Sequence, residues 1–285
     1  MNEIEQFQPP MLPEMRELWQ QTLGWQPTDT QQAKFQQLYA QILAGNRQQN
    51  LTRITDPTEF WEKHLWDSLR GIQQFLEGAG EISAARKDVE MGGHEEAENS
   101  IQNSKPTIQN SLQPSLARRA IDIGTGAGLP GLAVAIAQPN WHLTLLDSTR
   151  KKIQFLDHLL EVLEIPNGKT LVDRVEAIGQ QPSHRQTYDI ALVRAVAAAP
   201  ICAEYALPLL KLNGLAILYR GQWTAAETTA LEPVAKLLGG TIEAIEAFQT
   251  PLTGGDRHCL YLRKIAPTPS EFPRAVGVPT QKPLN

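Results

Sequence analysis

The 285-residue chain holds only two cysteines, Cys202 and Cys259, far apart and outside any C-x-x-C spacing. That excludes a disulfide framework and a zinc knuckle. Aromatic residues make up 6% of the chain, and no apolar run approaches the roughly 18 residues of a membrane-spanning helix. Excess positive charge is also lacking: 26 lysines and arginines face 31 aspartates and glutamates, a net charge of -5. A general polyanion binder is thereby excluded, and contact with nucleic acid has to come from a local basic surface. The first ten residues carry Glu3 and Glu5 and no basic residue, unlike a secretory signal, so a cytoplasmic location is expected. What is present is a 41% hydrophobic fraction, enough for a real core in one or two domains.

Apolar residues recur at three- and four-residue spacings over 12–23, 28–43 and 57–76, as in Phe35, Leu38, Tyr39 and Ile42, which predicts helices. The third has a start signal. Asp56 can cap, Pro57 suits the first helical position, and Glu59 can return a bond to the cap's amide. From 78 to about 118 there is no Phe, Trp or Tyr, and acids (Glu81, Asp88, Glu90, Glu95, Glu96, Glu98) outnumber bases (Arg86, Lys87, Lys105, Arg118). Such a composition buries too little to offset its ordering entropy, so a flexible insert is expected.

Beyond residue 118 a strand–helix rhythm begins. Strands are expected at 120–123, 143–146, 170–172, 189–193 and 215–218, with helices at 131–137, 151–163, 200–210 and 223–238. That alternation implies right-handed βαβ units, a mostly parallel sheet and helices on both faces. Two further strands, 241–248 and 258–263, have no helix between them and read as an antiparallel pair finishing the sheet. The expected organisation is a helical region at 1–77, the insert at 78–118, an α/β domain at 119–265 and a basic, proline-rich tail at 266–285.

The strongest local signal follows the first of these strands: Asp122, then Gly124, Gly126 and Gly128, then Leu129, Pro130 and Gly131 opening a helix. Glycines there permit tight turns and close approach of a ligand to the backbone. The loop sits at the carboxyl end of a strand, where doubly wound sheets bind ligands. A dinucleotide fingerprint needs glycine at position 129, where leucine stands. The order acid-x-G-x-G-x-G is instead that of class I S-adenosylmethionine-dependent methyltransferases, although a purely structural turn also explains such runs. Asp147 ends the second strand, 19 residues after Gly128. A carboxylate there can accept both ribose hydroxyls, which supports adenosine without choosing the cofactor; the alternative is a helix-start region with Ser148 and Thr149. Val175 and Glu176 follow the third strand and Arg194 the fourth, all on the binding edge.

These residues resemble the glucose-inhibited division protein B family, the bacterial guanine-7-methyltransferases of small-subunit ribosomal RNA. The likeness extends to Asn50, Leu51 and Thr52, to His64, Leu65, Trp66, Asp67, Ser68 and Leu69, and to Arg194 and Ala195. It continues through Arg257, His258 and a tail with Phe272, Pro273, Arg274, Lys282, Pro283 and Leu284, covering most of 30–285. The resemblance implies an S-adenosylmethionine-dependent Rossmann-like methyltransferase domain preceded by a small helical region. It also implies methyl transfer to N7 of a guanine in 16S ribosomal RNA, with the small ribosomal subunit as partner. Positions matching Gly124, Leu129, Asp147, Ser148, Thr149, Val175, Glu176 and Arg194 would contact the cofactor, with Gly126 and Gly128 in the same loop. The insert departs from the family's short connection at that point.

Guanine N7 carries an available lone pair, so transfer is expected as an in-line displacement in which the enzyme supplies alignment and no general base. No catalytic residue is therefore assigned; no His, Asp and Glu cluster has metal-ligand spacing, so no metal is expected, and no membrane contact is expected. Arg194 either helps position the guanine or the cofactor's methionine end, or pairs with a nearby carboxylate. His64 and Asp67 share a helix face, in an RNA or cofactor role or a structural one. Two basic stretches are candidates for phosphate contact. One holds Arg257, Arg263, Lys264, Arg274 and Lys282; the other is Arg150, Lys151 and Lys152, which a solvated helix face explains equally. Two rivals remain: a nicotinamide-dependent oxidoreductase, which Leu129 opposes, and a non-catalytic cofactor-binding ribosome-assembly factor.

Overall fold

The computed structural model describes residues 9–76 and 117–285. Nearly all of the expected insert lies outside the described residues. Three helical segments come first: α1 (Arg16–Leu23), α2 (Asp29–Asn46) and an irregular third. The third begins as α3 (Pro57–Phe60), passes through a π-helical stretch (Trp61–Trp66) and ends as α4 (Asp67–Arg70). Asp56 does cap it, accepting from the Glu59 amide at 2.9 Å. The expected return bond from Glu59 is replaced by an ion pair to Lys63 at 2.7 Å.

The π-helical stretch interrupts what periodicity predicts as one regular helix, and the reason lies in what it aims. Glu62 is fully buried and accepts from the Leu252 and Thr253 amides and the Thr253 hydroxyl, at 2.6, 2.9 and 2.7 Å. Ser68 offers its carbonyl to the Tyr219 hydroxyl at 2.8 Å. The stretch thus sends Glu62 to the 250–255 turn, while the helix just after it meets the sheet through Ser68; such single-turn π-bulges are frequent at functional sites.

The sheet contains β1 (Arg119–Ile123), β2 (His142–Asp147), β3 (Gly168–Val172), β4 (Tyr188–Arg194), β5 (Leu210–Arg220), β6 (Gly240–Gln249) and β7 (Asp256–Lys264). Its order is β3-β2-β1-β4-β5-β7-β6. The first five strands are parallel, whereas β7 runs antiparallel between β5 and β6. Between them lie α5 (Gly131–Ala137), α6 (Arg150–Val162), α7 (Val175–Gln180), α8 (Ala199–Ala206) and α9 (Ala225–Leu237), with α10 (Val278–Gln281) near the end.

Successive strand residues serve opposite faces, as the two-residue period requires. Ile190 and Leu192 of β4, with Leu215, Ile217 and Tyr219 of β5, join the core shared with the N-terminal helices. Ala191, Val193, Ala216 and Leu218 join a second core with α7, α8 and α9. In the first core Trp19 meets Trp61 edge-on at 4.7 Å and stacks near Phe35 at 6.3 Å, so the helical region is packed into the same interior as the sheet. Strand order reverses direction between β1 and β4, which opens a crevice at their carboxyl ends.

Candidate functional site

The loop leaving β1 is held open by two carboxylates. Asp122 is buried, and its Oδ2 accepts from the Thr125 hydroxyl at 2.6 Å and the Gly131 amide at 2.8 Å, tying the loop's start to the first turn of α5. Burial pushes its pKa up to about 6, because a charge is costly there despite those donors. Asp147 works from the neighbouring strand: its Oδ2 accepts from Gly126 N–H at 3.1 Å and its Oδ1 from Thr149 N–H at 2.8 Å. Lys152 lies 3.7 Å from the same carboxylate. The amides of Gly124 and Thr125 donate to the Leu146 carbonyl at 2.9 and 3.0 Å, which seats the loop on β2.

Gly126 has φ +60°, and a Cβ there would meet nothing nearer than 3.9 Å, so the space beside it is open. Gly124 (φ +70°) is exposed, but a Cβ would press on Val196 at 2.7 Å. Gly128 and Leu129 are buried beneath the loop and support it. A cleft of about 330 Å³ opens beside the loop, lined by the expected Gly124, Asp147, Ser148, Thr149 and Val175. Asp173, Arg174, Val196, Tyr205 and Thr280 also line it. Asp173 and Arg174 were discoverable, since they immediately precede Val175 at the end of β3. Tyr205 and Thr280 arrive from α8 and α10, and no sequence spacing announces them.

Glu176 and Arg194 are placed differently. The Glu176 side chain is fully buried; it pairs with Arg174 at 2.7 Å and accepts from Tyr205 Oη at 3.3 Å and Gly277 N–H at 3.0 Å. Despite desolvation, these donors hold its carboxyl below the usual range. Arg194 reaches from the end of β4 to Asp67 at 3.1 Å, Ser68 Oγ at 3.2 Å and the Lys63 carbonyl at 3.4 Å. Of its two readings, the geometry supplies the carboxylate partner. His64 does not pair with Asp67: its Nε2 lies 2.8 Å from the Thr52 hydroxyl. Burial, with the Arg194 charge second, pushes the His64 pKa down to about 3, so the imidazole is neutral.

Of the basic stretch expected to face phosphate, four of five side chains have internal partners, and only Lys282 is exposed with none among the described residues. Arg274 binds Glu204 at 2.6 Å and Arg263 binds Glu243 at 2.5 Å. Lys264 is fully buried, donating to the Leu207 and Leu238 carbonyls and to Thr268, and burial pushes its pKa down to about 7. Arg257 lies 3.8 Å from Asp67. Arg150 and Lys151, by contrast, are exposed on the first turn of α6. Cys202 is a buried thiol beside the Ala197 carbonyl at 3.2 Å. Among the described residues no His, Cys, Asp and Glu cluster is arranged to hold a metal ion, and no helix is long and apolar enough to cross a membrane.

The donor set suits an adenosine-bearing cofactor. Asp147 lines the cleft with a carboxylate that can accept hydroxyl donors, Ser148 and Thr149 add polar groups there, and the backbone at Gly126 leaves open space beside the loop.

Comparison with known proteins agrees. "Ribosomal RNA small subunit methyltransferase G" of Trichormus variabilis is 58% identical over 276 residues, 96% of this chain and 99% of that protein. The protein of the same name from Trichodesmium erythraeum is 52% identical, covering 96% and 95%. That from Gloeobacter violaceus is 45% identical, covering 94% and 91%. The GidB family, described as rRNA small subunit methyltransferase G, matches residues 31–84 and 98–260. With that match across both the helical region and the sheet, the chain belongs to the rRNA small subunit methyltransferase G family.

Proposed function

We propose that this protein methylates N7 of a guanine in the RNA of the small ribosomal subunit, with S-adenosylmethionine as donor. The cofactor supplies a methyl group activated on a positively charged sulfur. The observation that carries the reading is Asp147, whose carboxylate organises the glycine loop through Gly126 and Thr149 while lining the cleft. Gly124, Gly126, Ser148, Thr149 and Val175 would hold the nucleoside end beside it. Gly128 and Leu129 would act from below by keeping the loop in shape. Glu176 would support the same cleft through Arg174 and Tyr205, and Arg194 would fix the helical region against the end of β4. Guanine N7 needs no deprotonation, so these residues have to bind, orient and exclude water. No side chain is assigned as a base.

The test is a transfer assay with methyl-labelled S-adenosylmethionine and small subunits lacking guanine-7 methylation, followed by nucleoside separation. Label in 7-methylguanosine is the expected result. Cofactor binding without label in any nucleoside would overturn the substrate and favour a non-catalytic assembly role.

A further inference from the structure

Residues beyond β7 start at the amino end of β4 and run back along α7 to the binding edge, fastened along the way by side chains of the α/β domain. Arg185 donates to the carbonyls of Thr268, Pro269 and Phe272 at 2.9, 3.0 and 2.6 Å. Pro273 lies so close to Gly179 of α7 that a Cβ there would sit 2.5 Å from its ring. Arg274 then meets Glu204 of α8 three ways, by its own amide at 2.9 Å and its guanidinium at 2.9 and 2.6 Å. Gly277 N–H donates to Glu176 at 3.0 Å. One turn later Thr280 stands in the lining of the cleft.

Glu176 and Glu204 both have fully buried side chains. Burying a carboxylate is costly unless its oxygens are met by donors. Here the donors come from the tail, joined at Glu176 by Arg174 and Tyr205, two other residues of the cleft lining. One carboxylate therefore links the tail to two walls of the cleft.

We propose that residues 272–281 form a strap belonging to the cofactor site, with Thr280 as one wall of the nucleoside end and Glu176 and Glu204 as the positioning residues that hold it. The proposal rests on the reading that the cleft takes S-adenosylmethionine. Strap docking and cofactor binding are then reciprocally linked, each tightening the other.

The test uses S-adenosylhomocysteine, titrated by calorimetry into the full chain, a chain ending after Ala275, Thr280→Trp and Asp147→Ala. The shortened chain keeps the Arg274–Glu204 pair and loses the Gly277 bond and Thr280. Thr280 is exposed, so tryptophan there alters the cleft wall without entering the core. Both variants should weaken the ligand by about tenfold or more, roughly one decade in Kd. Amide exchange over 276–281 should also slow when the ligand is added, a change that a merely structural tail would not make. Unchanged affinity in both variants, with Asp147→Ala losing the ligand, overturns the strap and leaves the cleft reading intact. Retained affinity in Asp147→Ala overturns the cleft reading and the strap with it. If the shortened chain does not fold, Thr280→Trp and the exchange measurement decide.

Discussion

Arg194 and Asp67 meet at 3.1 Å, joining the carboxyl end of β4 to the helix that follows the π-helical stretch. Their side chains are only 14% and 10% exposed, so neither charge is well solvated without the other. Removing one partner of such a pair strands the other and costs about 3–5 kcal/mol. Asp67→Ala is expected near the lower end, about 3 kcal/mol, because Arg194 keeps Ser68 and the Lys63 carbonyl. Urea unfolding measures it. A loss below about 1 kcal/mol would place the pair among solvated surface contacts.

Asp122 makes stability depend on pH in an unusual direction for a carboxylate. Its pKa is raised by burial to about 6 from 3.8, so the stability it contributes is complete below pH 3.8 and disappears as pH rises through 6. Asp122→Asn keeps an acceptor for the Gly131 amide and cannot ionise. The variant should gain on the wild type between pH 4 and 6.5 by up to about 3 kcal/mol. A difference that stays flat over that window would show that the carboxylate ionises freely in the fold.

His64 works in the opposite sense. Its pKa falls to about 3 from 6.5, so its contribution is present above pH 6.5 and lost as pH drops toward 3. The imidazole resonances of His64 are expected not to titrate between pH 5 and 8, and His64→Gln should lessen the loss of stability on acidification. An NMR titration with a midpoint near 6.5 would contradict the buried, neutral histidine beside Thr52.

Gly126→Asp tests the loop directly. The left-handed φ of +60° strains any side chain, by about 1–2 kcal/mol, but no atom crowds the new Cβ, so the fold should survive with a thermal midpoint lowered by no more than about 8 °C. The new carboxylate enters the open space next to Asp147 and repels it. Affinity for S-adenosylhomocysteine should fall by more than about tenfold in calorimetry. Unchanged affinity would mean that this face of the loop is not where the cofactor lies.

Much of this site was legible before the fold was known because it depends on local order: an acid and three glycines after a strand, and an acid at the end of the next. The parallel strands were legible for the same reason, since buried runs such as 143–146 and 190–193 have no polar face to spare. Three features were not. A π-helical stretch has the composition of any amphipathic helix, and its cause, Glu62 reaching Leu252 and Thr253, lies 190 and 191 residues away. The position of β7 inside β6 was readable only in hindsight, from the uninterrupted buried run Cys259, Leu260, Tyr261 and Leu262 against the half-exposed β6. The basic residues from Arg257 to Lys282 looked available for RNA because counting cannot see partners such as Glu204, 70 residues from Arg274.

That leaves the α6 cations as the better candidates for RNA contact. Arg150 and Lys151 are exposed in the first turn of a helix that has no acid there. Positive charge at a helix N-terminus works against the macrodipole, so neither residue is placed for the helix's own stability. Both follow directly from Ser148 and Thr149, at the rim of the cleft. Arg150→Ala with Lys151→Ala should therefore raise KM for the small subunit and lower the salt dependence of binding by about one to two in slope. Affinity for S-adenosylhomocysteine should stay unchanged, and thermal stability should hold or rise slightly. Steady-state kinetics over a series of salt concentrations separates the outcomes. An unaltered KM and slope would return these residues to an ordinary solvated face and direct the search for the RNA surface to the exposed Arg53 near Thr52 and His64.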